Sequence, residues 1–246
     1  MLFRSAGFDV ASLTLDLMAD SSGSLFEGRI EGAYGEPLAI ELGGALGYGA
    51  GPLWMRIERL NGRYGAYPVL LVRPLTVERE EGSFDVDDLA LRFGSGLLQA
   101  TVHFDGERLE GRGAVIEWPL ESLPPFESAN LRGRVEVDAV LDGSLERPIF
   151  EADFKVKDLV SADPDFSGMP PVQIAGTARS AEEGISAAAA VRTQDREVLI
   201  IEALAPYAVS FSPAGARRID GREWSGRVEA DIDLAMVNGL IDWEDQ

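Results

Sequence analysis

The sequence predicts an all-β protein built of many short strands, each apolar on one side and polar on the other. Three observations lead there. Apolar residues recur at every second position through most of the 246 residues. Successive side chains of a strand point to opposite faces, so this period marks half-buried strands. Turn pairs such as Asp-Gly close the apolar runs, where the backbone needs positive φ. Helical spacings are confined to two short stretches.

Taken in order, the N-terminal third alternates less cleanly, with Val10, Leu13, Leu15 and Leu17, then again from Leu25 to Ile30. Leu89, Leu91 and Phe93 form a short strand. Leu98, Ala100, Val102 and Phe104 alternate with Gln99, Thr101 and His103 before the turn Asp105-Gly106. Leu109, Gly111, Gly113 and Val115 continue the pattern toward Trp118. The clearest strand covers 134–141: Val135, Val137, Ala139 and Leu141 face one way, Arg134, Glu136, Asp138 and Val140 the other. Asp142-Gly143 follows as a turn. Over 149–157, Phe150, Ala152, Phe154 and Val156 oppose Glu151, Asp153, Lys155 and Lys157, with Pro148 at the start, where a missing N–H is tolerated. Ile185, Ala187, Ala189 and Val191 alternate next, and 198–205 is a nearly continuous apolar run. Val228, Ala230, Ile232 and Leu234 alternate with Arg227, Glu229, Asp231 and Asp233.

The two helical candidates are one turn over 120–126, stopped by Pro124-Pro125, and 234–243, where Leu234, Val237, Leu240 and Ile241 share a helical face. The 27 glycines are expected mostly between strands. A sandwich, a barrel and an open rolled sheet all satisfy this pattern.

Composition narrows the function. The chain carries 22 basic and 42 acidic residues, a net charge of −20, and would be repelled by nucleic-acid phosphates and anionic membrane surfaces. It has no cysteine, so disulfides and cysteine metal sites are excluded. No window approaches the roughly 18 apolar residues of a membrane-spanning helix, and the first residues lack the pattern of a signal peptide. These points fit a cytoplasmic protein or a piece of a longer one.

Enzymatic motifs are not apparent. The single histidine, His103, sits mid-strand on the polar side, and one histidine without cysteine excludes most zinc sites. Gly94-Ser95-Gly96 lacks the strand-turn-helix setting of a nucleophile elbow. Gly47-Tyr48-Gly49-Ala50-Gly51 lacks a third glycine at the spacing of a dinucleotide loop and a following helix. Asp85, Asp87 and Asp88 lack the glycine and distal glutamate of a calcium loop. Among 42 acidic residues no carboxylate pair stands out as a glycosidase couple. The reading therefore assigns no catalytic residue, cofactor or metal.

Residues 131–159 carry a family resemblance. A glycine and an alternating strand lead into Gly143-Ser144-Leu145-Glu146-Arg147-Pro148, followed by a second alternating strand. This Gly-x-Leu-x-x-Pro arrangement resembles the repeat of the TamB family, the inner-membrane component of the translocation and assembly module in the AsmA-like superfamily. Trp118-Pro119-Leu120-Glu121-Ser122-Leu123 resembles the family's short helix, and the stretches 206–213 and 226–234 resemble its later elements. The resemblance is firm over 85–246 and looser over 1–84, an N-terminal β segment expected to be continuous with the rest.

The resemblance implies an elongated, curled antiparallel sheet, a β-taco trough with an apolar inner face and one or two short helices. It implies a periplasmic location, in a full-length protein anchored in the bacterial inner membrane. The implied partners are phospholipid acyl chains and a TamA-type outer-membrane barrel. The family's N-terminal anchor and C-terminal barrel-engaging segment find no counterpart here, so the chain is expected to be an internal piece. The trough lining is expected to comprise Leu98, Val102, Phe104, Val135, Val137 and Leu141, continuing through Phe150, Phe154, Val156, Val228, Ile232 and Leu234. The implied function is conduction of phospholipid between the two membranes. The alternatives are an assembly factor or chaperone that pairs its edge strands with outer-membrane β-barrel clients, and a closed sandwich without ligand.

Overall fold

Alternating apolar and polar side chains give the chain one way to hide its apolar half: lay strands side by side and put that half on a common face. The computed structural model describes residues 4–5, 8–19, 23–34, 36–47, 52–123, 130–163, 170–181, 183–194, 196–212 and 214–231. Among these the fold is all-β and antiparallel, with a 3₁₀ turn at Leu120–Ser122. The chain divides into two units, Met1–Trp118 with Val140–Ser144, and Pro119–Ala139 with Leu145–Gln246.

The first unit holds β1 (Arg4–Ser5), β2 (Phe8–Ala19), β3 (Gly23–Tyr34), β4 (Glu36–Gly47), β5 (Leu53–Tyr64), β6 (Tyr67–Leu71), β7 (Leu75–Glu80), β8 (Ser83–Phe93), β9 (Gly96–Phe104) and β10 (Leu109–Pro119). Hydrogen-bonded neighbours follow chain order, save that β6 and β7 share one place between β5 and β8. Residues 72–74 interrupt that place, and Pro74 cannot donate to a ladder. There Val72 N–H donates to Ala90 O at 2.8 Å, and Arg73 Nε donates to Asp88 O at 3.1 Å. Bulges at Val10/Ser12, Gly43/Gly44 and Val86/Leu89 add local twist. The first explains why the N-terminal alternation slips phase between Val10 and Leu13.

The second unit contains most of β11 (Leu131–Gly143), then β12 (Pro148–Ser161), β13 (Val172–Ala181), β14 (Gly184–Thr193), β15 (Arg196–Ala205), β16 (Tyr207–Phe211), β17 (Ala214–Arg218) and β18 (Ser225–Ala230). β11 to β15 neighbour one another in order and β18 pairs with β15, while β16 and β17 form a separate hairpin. That hairpin docks on the Gly-x-Leu-x-x-Pro turn: Phe211 N–H and Ser212 N–H donate to Leu145 O at 2.7 and 3.2 Å. Pro206, at its base, is fully buried. At the end of the same turn Pro148 O accepts from Ser180 Oγ at 3.3 Å, and that hydroxyl accepts from Phe150 N–H at 2.8 Å.

The expected turn over 120–126 is the 3₁₀ turn, closed by Ser122 Oγ donating to Pro119 O at 2.7 Å. Pro124-Pro125 and the helix expected over 234–243 lie outside the described residues, as do Ile232 and Leu234. The glycine expectation needs correction, because many glycines lie inside strands. The reason is space. A Cβ on Gly47 would stand 2.0 Å from the Trp54 indole, and one on Gly43 would stand 2.9 Å from Arg59 Nε. Large side chains lie flat over glycines on the neighbouring strand.

Candidate functional site

Strand register identifies which residues share the apolar face. In the first unit Phe84, Phe104 and Leu109 oppose one another across β8, β9 and β10. Val86, Val102 and Gly111 form the next row, and Leu91, Leu98 and Val115 a further one. Leu141 joins this face beside Gly111, its Cβ 3.5 Å from where a glycine Cβ would be. The face continues to β3 through Ile30, Ile40 and Gly62. Leu98, Val102, Phe104 and Leu141 are thus brought together.

This face is covered in part in the first unit: Phe26, Phe93, Phe104 and Leu109 are buried, whereas Leu13, Leu15 and Leu17 on β2 are exposed. Phe93 is the hub at one end: Tyr67 stacks on it with centroids 5.2 Å apart, and Trp118 stacks at 4.6 Å. Phe93 and Gly96 are cross-strand partners, and a Cβ at Gly96 would stand 2.8 Å from Trp118 Cα. Glycine there lets rings from β8 and β10 meet over β9. Phe84 and Phe104 pack at 5.4 Å near the other end.

The second unit repeats the register with a different surface. Val156, Ile174, Val191, Leu199 and Ala230 form one row across β12 to β15 and β18. Phe154, Gly176, Ala189, Ile201 and Val228 form the next, and Ala152, Ala178, Ala187, Ala203 and Gly226 the third. Phe150 keeps the phase of Phe154 and Val156 on β12, and Val135 and Val137 keep that of Leu141 on β11. Phe150, Phe154, Val156, Val135 and Val137 are all only half-buried. Ile201 is 37% and Val228 66% exposed. Sequence reasoning passed over β13: Gly176 and Ala178 dilute the alternation of Val172 and Ile174, and only their register with Phe154 reveals the row.

The opposite face is polar and cross-linked between strands. Arg29 pairs with Glu41 at 3.2 Å, Arg59 with Glu27, Lys157 with Glu136 at 2.5 Å, and Arg179 with Glu151 at 3.6 Å. Exposed pairs contribute little stability each, but they favour one register. Arg108 grips Asp142 with two 2.9 Å bonds. This guanidinium, with Gly143 N–H, holds the Asp142 carboxyl below the usual range. Asp105 Oδ1 accepts from Arg108 N–H at 2.7 Å and Glu107 N–H at 2.9 Å, which lowers its pKa and shapes the expected turn at Asp105-Gly106.

His103 lies on this polar face, as its strand phase predicts. Its Nδ1 bonds Asp85 on β8, its cross-strand partner, and that hydrogen bond and charge raise the imidazole pKa. Asp87 and Asp88 fall within the Val86/Leu89 bulge, and Asp88 Oδ1 accepts from Arg73 Nη2 at 3.1 Å. Ser95 turns between β8 and β9, its Oγ 3.5 Å from Glu117 O. An open depression of about 540 Å³ on the polar side of the second unit is lined by Thr177, Arg179, Ser186, Ala188, Glu202 and Arg227. Its guanidiniums are engaged by Glu151 and Glu229.

The arrangement is an apolar face backed by a polar, ion-paired one. No protein-family model, curated protein or solved structure matches the chain.

Proposed function

We propose that the apolar face of the second unit holds lipid acyl chains, and that the chain is a segment of a TamB-like, bridge-forming periplasmic protein that conducts phospholipid between the inner and outer membranes. One observation carries this reading. The rows built on Phe154 and Val156 are in register across β12 to β15 and β18, yet remain half-buried or exposed among the described residues. Soluble proteins seldom leave large contiguous apolar patches uncovered unless they bind something.

The energetics suit a conduit. Covering an acyl chain of about 16 carbons against water is worth about 0.8 kcal/mol per CH₂, or about 13 kcal/mol gross. A lipid arriving from a bilayer is already out of water, so that term nearly cancels on transfer. The face therefore keeps lipid from water without trapping it.

The test is mass spectrometry of lipids extracted from the folded, purified protein. Phospholipid that copurifies with the wild type and with Glu151→Ala, and is lost from Phe154→Asp and Ile201→Asp, is the expected result. Folded wild-type protein without lipid, or equal loss from both faces, overturns the reading.

A further inference from the structure

The β16–β17 hairpin leaves the sheet and lies along the ends of its strands. It starts at Pro206, directly after β15, and passes beside β14 and β12. Its far end meets the Gly-x-Leu-x-x-Pro turn, where Leu145 O accepts from Phe211 N–H, Ser212 N–H and, at 3.4 Å, Ser210 Oγ. The lengths agree. The four steps from Tyr207 to Phe211 cover about 14 Å, and the three spacings from β15 to β12 also cover about 14 Å. Ser180, Ile185 and Ala205 form the row of the apolar face nearest this end, with Phe150 beside Ser180. The hairpin thus runs along one margin of the apolar face of the second unit. Strands added beyond β18 would extend the sheet in the other direction.

Polarity rises in order across this margin. On β16, Tyr207 and Val209 are half-buried and Phe211 is 47% exposed. Trp224, 63% exposed, packs edge-on against Tyr207 with ring centroids 5.8 Å apart. β17 pairs with β16, is exposed throughout, and carries Arg217 and Arg218. Arg222 follows, interspersed with Asp220 and Glu223. None of these three guanidiniums has an acidic partner among the described residues, whereas Arg179, Arg192, Arg196 and Arg227 on neighbouring strands are all paired. Apolar side chains, then aromatic rings, then cations is the order met on leaving the core of a bilayer leaflet.

We propose that this hairpin holds the phosphate headgroup of an anionic phospholipid whose acyl chains lie on the adjoining apolar face, an inference that rests on the lipid-holding role proposed above. An acyl chain on that face leaves its headgroup at a margin, in water. Guanidinium groups recognise phosphate oxygens through paired N–H donors. At physiological salt, charges more than about 8 Å away are largely screened. The local arginines therefore face the headgroup, rather than the −20 of the whole chain. A zwitterionic headgroup brings a cation of its own to these arginines, so the margin selects anionic over zwitterionic lipid. The hairpin docks through backbone groups and Ser210, so substitutions of the β17 arginines leave it in place.

The test is calorimetric titration of the full chain with inorganic phosphate and with two short-chain lipids below their micellar concentrations, dihexanoyl phosphatidylglycerol and dihexanoyl phosphatidylcholine. The phosphatidylglycerol should bind several-fold more tightly. The triple variant Arg217→Gln, Arg218→Gln, Arg222→Gln should erase that preference and leave phosphatidylcholine binding unchanged, and raising the salt should shrink the preference in the wild type. Arg56→Gln, Arg79→Gln and Arg112→Gln together remove three exposed charges from the first unit and should leave the preference intact. Phe154→Asp should weaken both lipids alike. Equal affinities in the wild type, or a preference that the first-unit variant also removes, overturn the headgroup site and leave the acyl-chain face standing. Binding of neither lipid overturns both. Inorganic phosphate that binds as tightly as phosphatidylglycerol, and is lost from the hairpin variant, marks a free-anion site and overturns lipid as the source.

Discussion

The ring of Phe154 lies over Gly176 on the adjacent strand: a Cβ at 176 would stand 2.6 Å from Phe154 Cζ and 2.3 Å from Ala188 O. An aromatic laid across a cross-strand glycine fills the gap that glycine leaves. Gly176→Ala should destabilise the protein by about 1–3 kcal/mol, the usual cost of overpacking. Gly113→Ala, where a Cβ meets only Gln99 O at 3.7 Å, should be much milder. Urea denaturation of the two variants checks the difference, and equal midpoints would contradict it.

The stack of Tyr67, Phe93 and Trp118 predicts a large single-site effect. Phe93 is 8% exposed, so Phe93→Ala should cost about 3–5 kcal/mol. The near-ultraviolet circular dichroism of Trp118 should weaken with it. Ile116→Ala removes an apolar side chain that is 40% exposed and should shift the midpoint far less.

His103 gives a pH prediction with a defined sign. Its pKa is raised above 6.5, chiefly by the hydrogen bond to Asp85. A raised folded-state pKa adds stability that is fully present below the unfolded value and is lost as pH climbs through the folded one. The thermal midpoint of the wild type should therefore fall relative to Asp85→Asn as pH rises from 6 toward 9. Since this is the sole histidine, its ring resonance reports the titration directly, and Asp85→Asn should move it to lower pH.

Asp142 behaves in the opposite sense. Its pKa is lowered by Arg108, so its contribution is present above the usual carboxylate value of 3.8 and is lost as pH falls through the depressed one. Asp142→Asn should flatten the acid limb of the stability profile below about pH 4, as followed by circular dichroism.

Two glycines with positive φ should separate strain from collision. Gly82 has φ +95 and open space around it, so Gly82→Ala should cost about 1–2 kcal/mol. Gly184 has φ +136, and a Cβ there would stand 2.2 Å from Ala205 O and 3.0 Å from Pro206 Cα. Gly184→Ala should cost clearly more and expose β16 and β17 to hydrogen exchange.

Legibility in the sequence followed side-chain contrast. The stretches 134–141 and 149–157, where charged residues alternate with valine and phenylalanine, became the centres of β11 and β12. β13 was silent because glycine and alanine carry little contrast, and β4 likewise, with Gly43 and Gly44 adjacent at a bulge. The apolar face could be assigned within each strand from period two. Its rows could not, because opposing Phe154 to Gly176 or Phe93 to Gly96 depends on register, and register is set by turns and bulges that shift by single residues. The docking of the β16–β17 hairpin on Leu145 was also hidden, since it is made by backbone groups that every residue carries.

In each unit most strands bond to the strand just before them in the chain, so most pairings close short loops. Such a meander can assemble hairpin by hairpin from either end, without waiting for a distant segment to arrive. Like a solenoid, its stability is a sum of neighbour-to-neighbour couplings, so a hairpin added or removed within a unit changes length without rewriting the rest. Evolution can tune the reach of such a protein in steps of two strands, about 10 Å at a time.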